Sequence, residues 1–151
     1  MLVGDVMQRE VVTVTPQTTF DQTLRLAQSR GVRHLPVMDH GSLVGIISDR
    51  DLKGAMASVA MSQSGAGLAS LVDRLTAGEI MTRAVITIAP MFPVEDAARL
   101  MVTKKISALP VTEGGRLVGI LTETDVLELF VRAMGVAQPM APGIARAGER
   151  G

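Results

Sequence analysis

Two stretches of the chain pair a hydroxyl with a carboxylate three residues on: Ser48-Asp49-Arg50-Asp51 and Thr122-Glu123-Thr124-Asp125. Each follows an apolar run, Val44 to Ile47 and Val118 to Leu121, and each opens a segment of helical periodicity. Such a spacing makes a capping box, in which the hydroxyl accepts from the third N–H and the carboxylate returns to the cap N–H. The same geometry suits a nucleotide. A helix start offers unpaired N–H groups and a positive dipole end to phosphate, and a nearby Asp can accept both ribose hydroxyls. Gly45 and Gly119, three residues before each hydroxyl, would let a ligand or a neighbouring backbone approach closely.

A second pair of stretches precedes proline: Val32-Arg33-His34-Leu35-Pro36 and Ile106-Ser107-Ala108-Leu109-Pro110. A residue before proline is pushed into extended conformation, so Leu35 and Leu109 start strands. The amides before them are then open to an outside partner. Read blandly, these are strand starts with Arg33 and His34 in solvent.

Both motifs recur at one offset of 74 residues, without a gap. The offset also superposes Met7 on Met81, Pro16 on Pro90 and Gly41 on Gly115, and about a third of the pairs from Asp5 to Leu52 are identical. Two copies are too few for a solenoid; they suit a pseudo-symmetric pair, each half covering the other's apolar face.

The elements that must position these motifs follow from the pattern. Leu2 to Met7 is one amphipathic turn, answered by Gly78 to Met81. Val11 to Val14 and Val85 to Ile88 are β-branched or apolar and stop before Pro16 and Pro90, so they read as strands. Thr18, with Asp21, is the expected cap of a helix carrying Phe20, Leu24 and Ala27 on one face and ending at Gly31. Pro93 opens its counterpart as a first helical residue. There Val94, Ala98 and Met101 align with Phe20, Leu24 and Ala27 in reversed size order, as facing layers of a shared core would need. Strands Leu35–Met38 and Leu43–Ile47 flank the turn Asp39-His40-Gly41, and Leu109–Thr112 and Leu117–Leu121 flank Glu113-Gly114-Gly115. Helices run from Ser48 to about Ala60 and from Thr122 to about Met134. The fold class is mixed α/β (α+β), two β-α-β-β-α repeats about a pseudo-two-fold axis. The first repeat takes residues 1–60, a linker with a short helix 61–75, the second repeat 76–135, and a disordered tail 136–151.

Composition narrows the chemistry. Apolar residues make up 47% of the chain but aromatics only 2%, so the core is aliphatic and rich in Met. Fifteen basic residues balance fifteen acidic ones, which leaves no net basic field for nucleic acid. Without Cys there is no disulfide, thiolate nucleophile or zinc ribbon. Charges at Asp5, Arg9 and Glu10 interrupt the first twenty residues, so no secretory signal is read. No stretch reaches the length of a membrane span. A cytoplasmic protein is the default expectation.

With these motifs in one register, the chain resembles a tandem pair of cystathionine-β-synthase (CBS) domains, a Bateman module. VRHLPV, ISALPV, the LVGI strands and the G-h-h-[ST]-x-x-D ends carry the resemblance, from Leu2 to Met134. RHLPV, SDRDL and LTETD together are most similar to stand-alone bacterial CBS proteins of the acetoin-utilisation type. The resemblance implies regulatory binding of an adenine nucleotide (AMP, ADP or ATP) or a related adenosyl ligand, with no catalytic cofactor and no metal. It implies two clefts, each built from both copies. One joins Thr15, Val32, Arg33 and His34 to Thr122, Thr124 and Asp125. The other joins Ala89, Ile106, Ser107 and Ala108 to Ser48, Arg50 and Asp51. Asp would hold ribose, hydroxyls and cations phosphate, and extended backbone adenine. Arg33 and His34 would favour ATP or ADP in the first cleft, with His34 charging between about pH 8 and 6.

A structural or dimerising module with empty clefts is the alternative. An enzyme is disfavoured: His34 and His40 are the only histidines, and no phosphate loop is present. The apolar residues Val126, Leu129, Phe130 and Met134, with Leu52, Met56 and Val59, predict a homodimer, and a regulatory module implies a regulated protein partner.

Overall fold

The computed structural model describes residues 1–62, 67 and 72–135; most of the predicted linker and the whole predicted tail lie outside these residues. The helices are α1 (Val3–Val6), α2 (Phe20–Arg30), α3 (Asp49–Ser62), α4 (Ala77–Ile80), α5 (Val94–Lys104) and α6 (Glu123–Ala133). The strands are β1 (His34–Asp39), β2 (Ser42–Ser48), β3 (Ala108–Glu113) and β4 (Arg116–Thr122).

Each repeat is built on an antiparallel hairpin, β1–β2 or β3–β4. Two-residue turns close them, with φ of 47° and 80° at His40 and Gly41 and of 56° and 77° at Gly114 and Gly115. Both central residues have positive φ, which matches the right-handed twist of the flanking strands. The expected strands at Val11–Val14 and Val85–Ile88 shrink to single parallel bridges, Val14 to Val37 and Ile88 to Val111. The reason is the proline two residues on: Val14 exchanges hydrogen bonds with Pro36 and Met38, and the chain then turns at Pro16.

Capping also differs from the expectation in detail. Thr19, not Thr18, caps α2, accepting from Gln22 N–H while Gln22 returns to the Thr19 N–H. Thr18 instead accepts from the Thr15 N–H at 3.0 Å. Pro93 is the cap of α5 rather than its first residue.

The two repeats exchange their first turns. Val3 of α1 and Met7, just after it, are buried with Ala97, Met101, Leu109, Val111 and Leu121 of the second repeat. Ala77 of α4, with Ile80 and Met81, packs with Phe20, Leu35, Val37 and Ile47 of the first. Burying a side chain such as Val3 fully stabilises by roughly 1.5–3 kcal/mol, so this exchange ties the halves together. There are thus two clusters rather than one shared core. Phe20 and Ala27 belong to the first cluster and Met101 to the second, so Ala27 and Met101 are not facing layers of one core. The buried positions at the middle are Thr23 and Ala97, not Leu24 and Ala98.

Backbone pairing repeats the exchange. Gln8 trades both hydrogen bonds with Ile120 on β4, each at 2.9 Å, and Thr82 does the same with Ile46 on β2 at 2.9 and 3.0 Å. Gly119 and Gly45 are glycine because of this crossing. A Cβ at Gly45 would fall 2.8 Å from Met81 Cγ, and one at Gly119 2.9 Å from both Met7 Cγ and the Gln8 carbonyl. The close approach expected there comes from the other repeat's own chain.

Candidate functional site

Both helix starts form the capping box read from the spacing. Thr122 N–H and Oγ1 donate to Asp125 Oδ2 at 2.7 and 2.8 Å, and Asp125 N–H donates to Thr122 Oγ1 at 3.3 Å. Ser48 N–H and Oγ donate to Asp51 Oδ2 at 2.8 and 3.0 Å, and Asp51 N–H donates to Ser48 Oγ at 3.1 Å. One oxygen of each carboxylate is therefore committed to its own helix. The other oxygens differ. Asp125 Oδ1 accepts from Gln8 Nε2 at 2.8 Å, whereas Asp51 Oδ1 meets no partner among the described residues.

The pre-proline runs lie against these helix starts. The Arg33 and Ser107 carbonyls accept from the Asp49 and Glu123 N–H at 2.8 and 2.9 Å, so each run is pinned to the helix of its own repeat. Val32 and Ile106 N–H are spent on the Ala27 and Met101 carbonyls, and their side chains pack against the two cores. Ala108 is buried. The amides of Val32 and Ile106, expected to be open to an outside partner, are thus engaged within their own repeats.

Besides the Gln8–Asp125 bond, two further side-chain contacts cross between the copies. Arg33 Nη2 donates to Thr124 Oγ1 at 3.2 Å, which brings the first run onto the second repeat's helix start. His34 Nε2 lies 2.8 Å from Ser107 Oγ, joining the two runs directly. Among the described residues nothing joins Ser107 to Arg50, whose side chain is exposed. Thr15 and Ala89 stand just before Pro16 and Pro90; Thr15 Oγ1 is 3.2 Å from Thr18 Oγ1, and the Ala89 carbonyl accepts from Phe92 N–H.

The surroundings of His34 favour its neutral ring. Burial lowers its pKa from the ordinary 6.5, and the Arg33 charge lowers it further, against smaller raising effects from Glu123, Asp49 and Asp51. Its charging therefore moves below the window expected from the sequence. Gln8 is the site residue that sequence reasoning missed. Its register offered a signal, because it follows Met7 as Thr82 follows Met81.

Two cavities lie among the described residues. One of about 480 Å³ lies between α1 and α6 and has Asp125, Glu128 and Asp5 on its wall. Another of about 650 Å³, between α4 and the first hairpin, holds none of the predicted residues and is lined in part by Asp39, Glu79 and Arg83. No three His, Cys, Asp or Glu side chains converge as metal ligands among the described residues. No helix among them is long and apolar enough to cross a membrane.

Comparison with known proteins places this geometry. The CBS domain model matches residues 3–58 and again 77–132. The CBS domain pair of protein MJ0100, solved with 5′-methylthioadenosine and S-adenosyl-L-methionine, is 32% identical, with a TM-score of 0.75 over 88% of this chain and 98% of that one. CBSX2 of Arabidopsis thaliana, solved with AMP, is 33% identical, with a TM-score of 0.72 over 88% and 98%. A Vibrio cholerae structure described as an acetoin utilization protein (AcuB) is 29% identical, with a TM-score of 0.75 over 92% and 98%.

Proposed function

The chain belongs to the CBS-domain family as a tandem pair, and on that premise we propose that it is a regulatory module that binds adenine nucleotides in two clefts between its repeats. Similar pairs hold AMP, or S-adenosyl-L-methionine with methylthioadenosine, which supports an adenosyl ligand as the class. One observation carries the reading to this chain's own residues. Arg33 of one repeat reaches Thr124 at the other's helix start, which supports a phosphate donor working beside Asp125 as ribose acceptor. The second cleft offers Ser48, Asp51 and Arg50 opposite Ala89, Ile106, Ser107 and Ala108. The Asp51 oxygen left open there is the natural acceptor for a ribose hydroxyl.

The reading is regulatory rather than enzymatic, and cytoplasmic. The one His–Ser pair, His34 with Ser107, has no third group orienting the His34 ring from its other nitrogen among the described residues. The module is a homodimer in this proposal, joined through the exposed apolar face of α6, and it acts on a protein partner. The alternative, a scaffold with empty clefts, is favoured by the Asp oxygens that the capping boxes already occupy. Calorimetry with AMP, ADP and ATP separates the two. Saturable binding that Asp51→Ala or Asp125→Ala weakens supports the sensor; heats indistinguishable from dilution leave the scaffold.

A further inference from the structure

The two clefts have matched backbone but differ in the side-chain bonds made between the repeats. In the first, Gln8 Nε2 donates to Asp125 Oδ1 at 2.8 Å and Arg33 donates to Thr124 at 3.2 Å, so two side-chain hydrogen bonds tie one repeat to the helix start of the other. At the equivalent places in the second stand Thr82 and Ser107. Thr82 makes the same backbone pair with Ile46 that Gln8 makes with Ile120, but its side chain meets nothing on Asp51 among the described residues. Ser107 turns to His34 instead of to Arg50. The asymmetry thus lies in side chains alone, at positions with matched backbone.

We propose that Gln8 is a specificity-determining gate: it occupies the free oxygen of Asp125, so an adenosyl ligand fills the Asp51 cleft first and enters the Asp125 cleft only by displacing the Gln8 amide. This rests on the reading that Asp51 and Asp125 hold ribose hydroxyls. A carboxylate oxygen can accept a ribose hydroxyl in exchange for water at little cost. Where the oxygen already accepts from an amide, that bond must be given up, and the net gain shrinks. Gln8 is exposed and belongs to the segment just after α1, the turn exchanged between repeats. A ligand that frees the Gln8 side chain therefore acts on a segment that also carries Met7 against Gly119.

The test is an AMP titration followed by amide NMR, reading Arg50 and Asp51 for one cleft and Thr124 and Asp125 for the other. In the wild type the Asp51 cleft saturates at lower AMP. Gln8→Ala tightens the Asp125 cleft by roughly three- to tenfold, the range for one exposed hydrogen bond, and leaves the Asp51 cleft as it was. Thr82→Gln, which installs the amide in the other copy, weakens the Asp51 cleft by a similar factor. If AMP binds the Asp51 cleft and Asp51→Ala abolishes that binding, but Gln8→Ala leaves the Asp125 cleft unchanged or weaker, the gate is overturned while the ribose reading stands. AMP perturbing neither cleft overturns both.

Discussion

His34 Nε2 and Ser107 Oγ, 2.8 Å apart, join the pre-proline run of one repeat to that of the other. The contact couples the two clefts through a titratable ring, and its environment fixes the sign of the pH response. Burial and Arg33 hold the His34 pKa below 6.5, so the fold prefers the neutral ring. Above pH 6.5 both folded and unfolded states are neutral there and the full stability is present. As pH falls through 6.5 towards the folded pKa, the unfolded chain binds the proton first and stability is lost. Thermal melts from pH 7.5 to 5 should show a steeper decline for the wild type than for His34→Gln. Parallel curves would mean that the ring does not resist protonation in the folded state.

The glycines beside the crossing methionines give a test of the exchanged turns. Gly45→Ala and Gly119→Ala each drive a methyl into Met81 or Met7, an overpacking of roughly 1–3 kcal/mol. The two are unequal. At Gly45 the three nearest obstacles all belong to the flexible Met81 side chain, while at Gly119 the backbone carbonyl of Gln8 also lies 2.9 Å from the new atom. In urea denaturation Gly119→Ala is therefore the more destabilising. Met81→Ala should offset part of the Gly45→Ala loss in a double-mutant cycle, whereas Met7→Ala should do less for Gly119→Ala. Additive effects in both cycles would contradict this packing.

Periodicity and turn chemistry were enough to read the hairpins, the capping boxes at Ser48 and Thr122, and the helix end at Gly31, because each is decided within a few residues. What they could not decide is which body an apolar residue joins. Val3 and Ala77 look alike from either repeat, and only the fold shows that each completes the other's core. Leu52 and Val59 have the spacing of an interface, yet they are buried, at 5% and 6% exposed. Among the candidate site residues, spacing along the chain picked out both capping carboxylates. It could not find Gln8, whose bond to Asp125 spans 117 positions of sequence.

Asp51 and Asp125 each serve a helix start, so their loss should appear in two measurements. Asp51→Ala and Asp125→Ala each lose a capping box, at a cost of about 1 kcal/mol in stability. If each also holds ribose, each weakens one cleft by roughly 1.5–3 kcal/mol. Melting and calorimetry run side by side separate the roles. A double variant that melts lower yet binds AMP as the wild type does would make the motif structural only.

Arg33 is the exposed cation that reaches across the first cleft, 3.2 Å from the Thr124 hydroxyl. Charge-assisted bonds to phosphate are roughly twice as strong as neutral ones, so this cleft should favour ATP and ADP over AMP. Arg33→Ala should remove most of that preference, and Arg33→Lys should restore only part of it, since an ammonium lacks the planar fork of donors. ATP and AMP titrations of the three proteins check this. An unchanged ATP-to-AMP ratio in Arg33→Ala would assign the phosphate elsewhere.

The remaining prediction concerns assembly. On α6, Leu127, Phe130 and Val131 are 61%, 59% and 48% exposed, Met134 at its C-terminal cap is 63% exposed, and Met56 on α3 is 40% exposed. Val126 and Leu129, expected on the same face from sequence, are half-buried, and Val126 packs against the second repeat's core. Contiguous apolar surface on a chain of this size is commonly buried against another protein, and a self-complementary patch closes as a two-fold dimer. A buried aromatic at the centre of such a patch typically carries about 2 kcal/mol or more of the association. Phe130→Asp should therefore shift the molecule to monomer in light scattering at tens of micromolar, with the melting transition of the monomer retained. Leu52→Ala should do the reverse, lowering stability by roughly 2–5 kcal/mol as a cavity in the first core while leaving the dimer intact. A wild-type monomer at that concentration would remove the homodimer from the proposal.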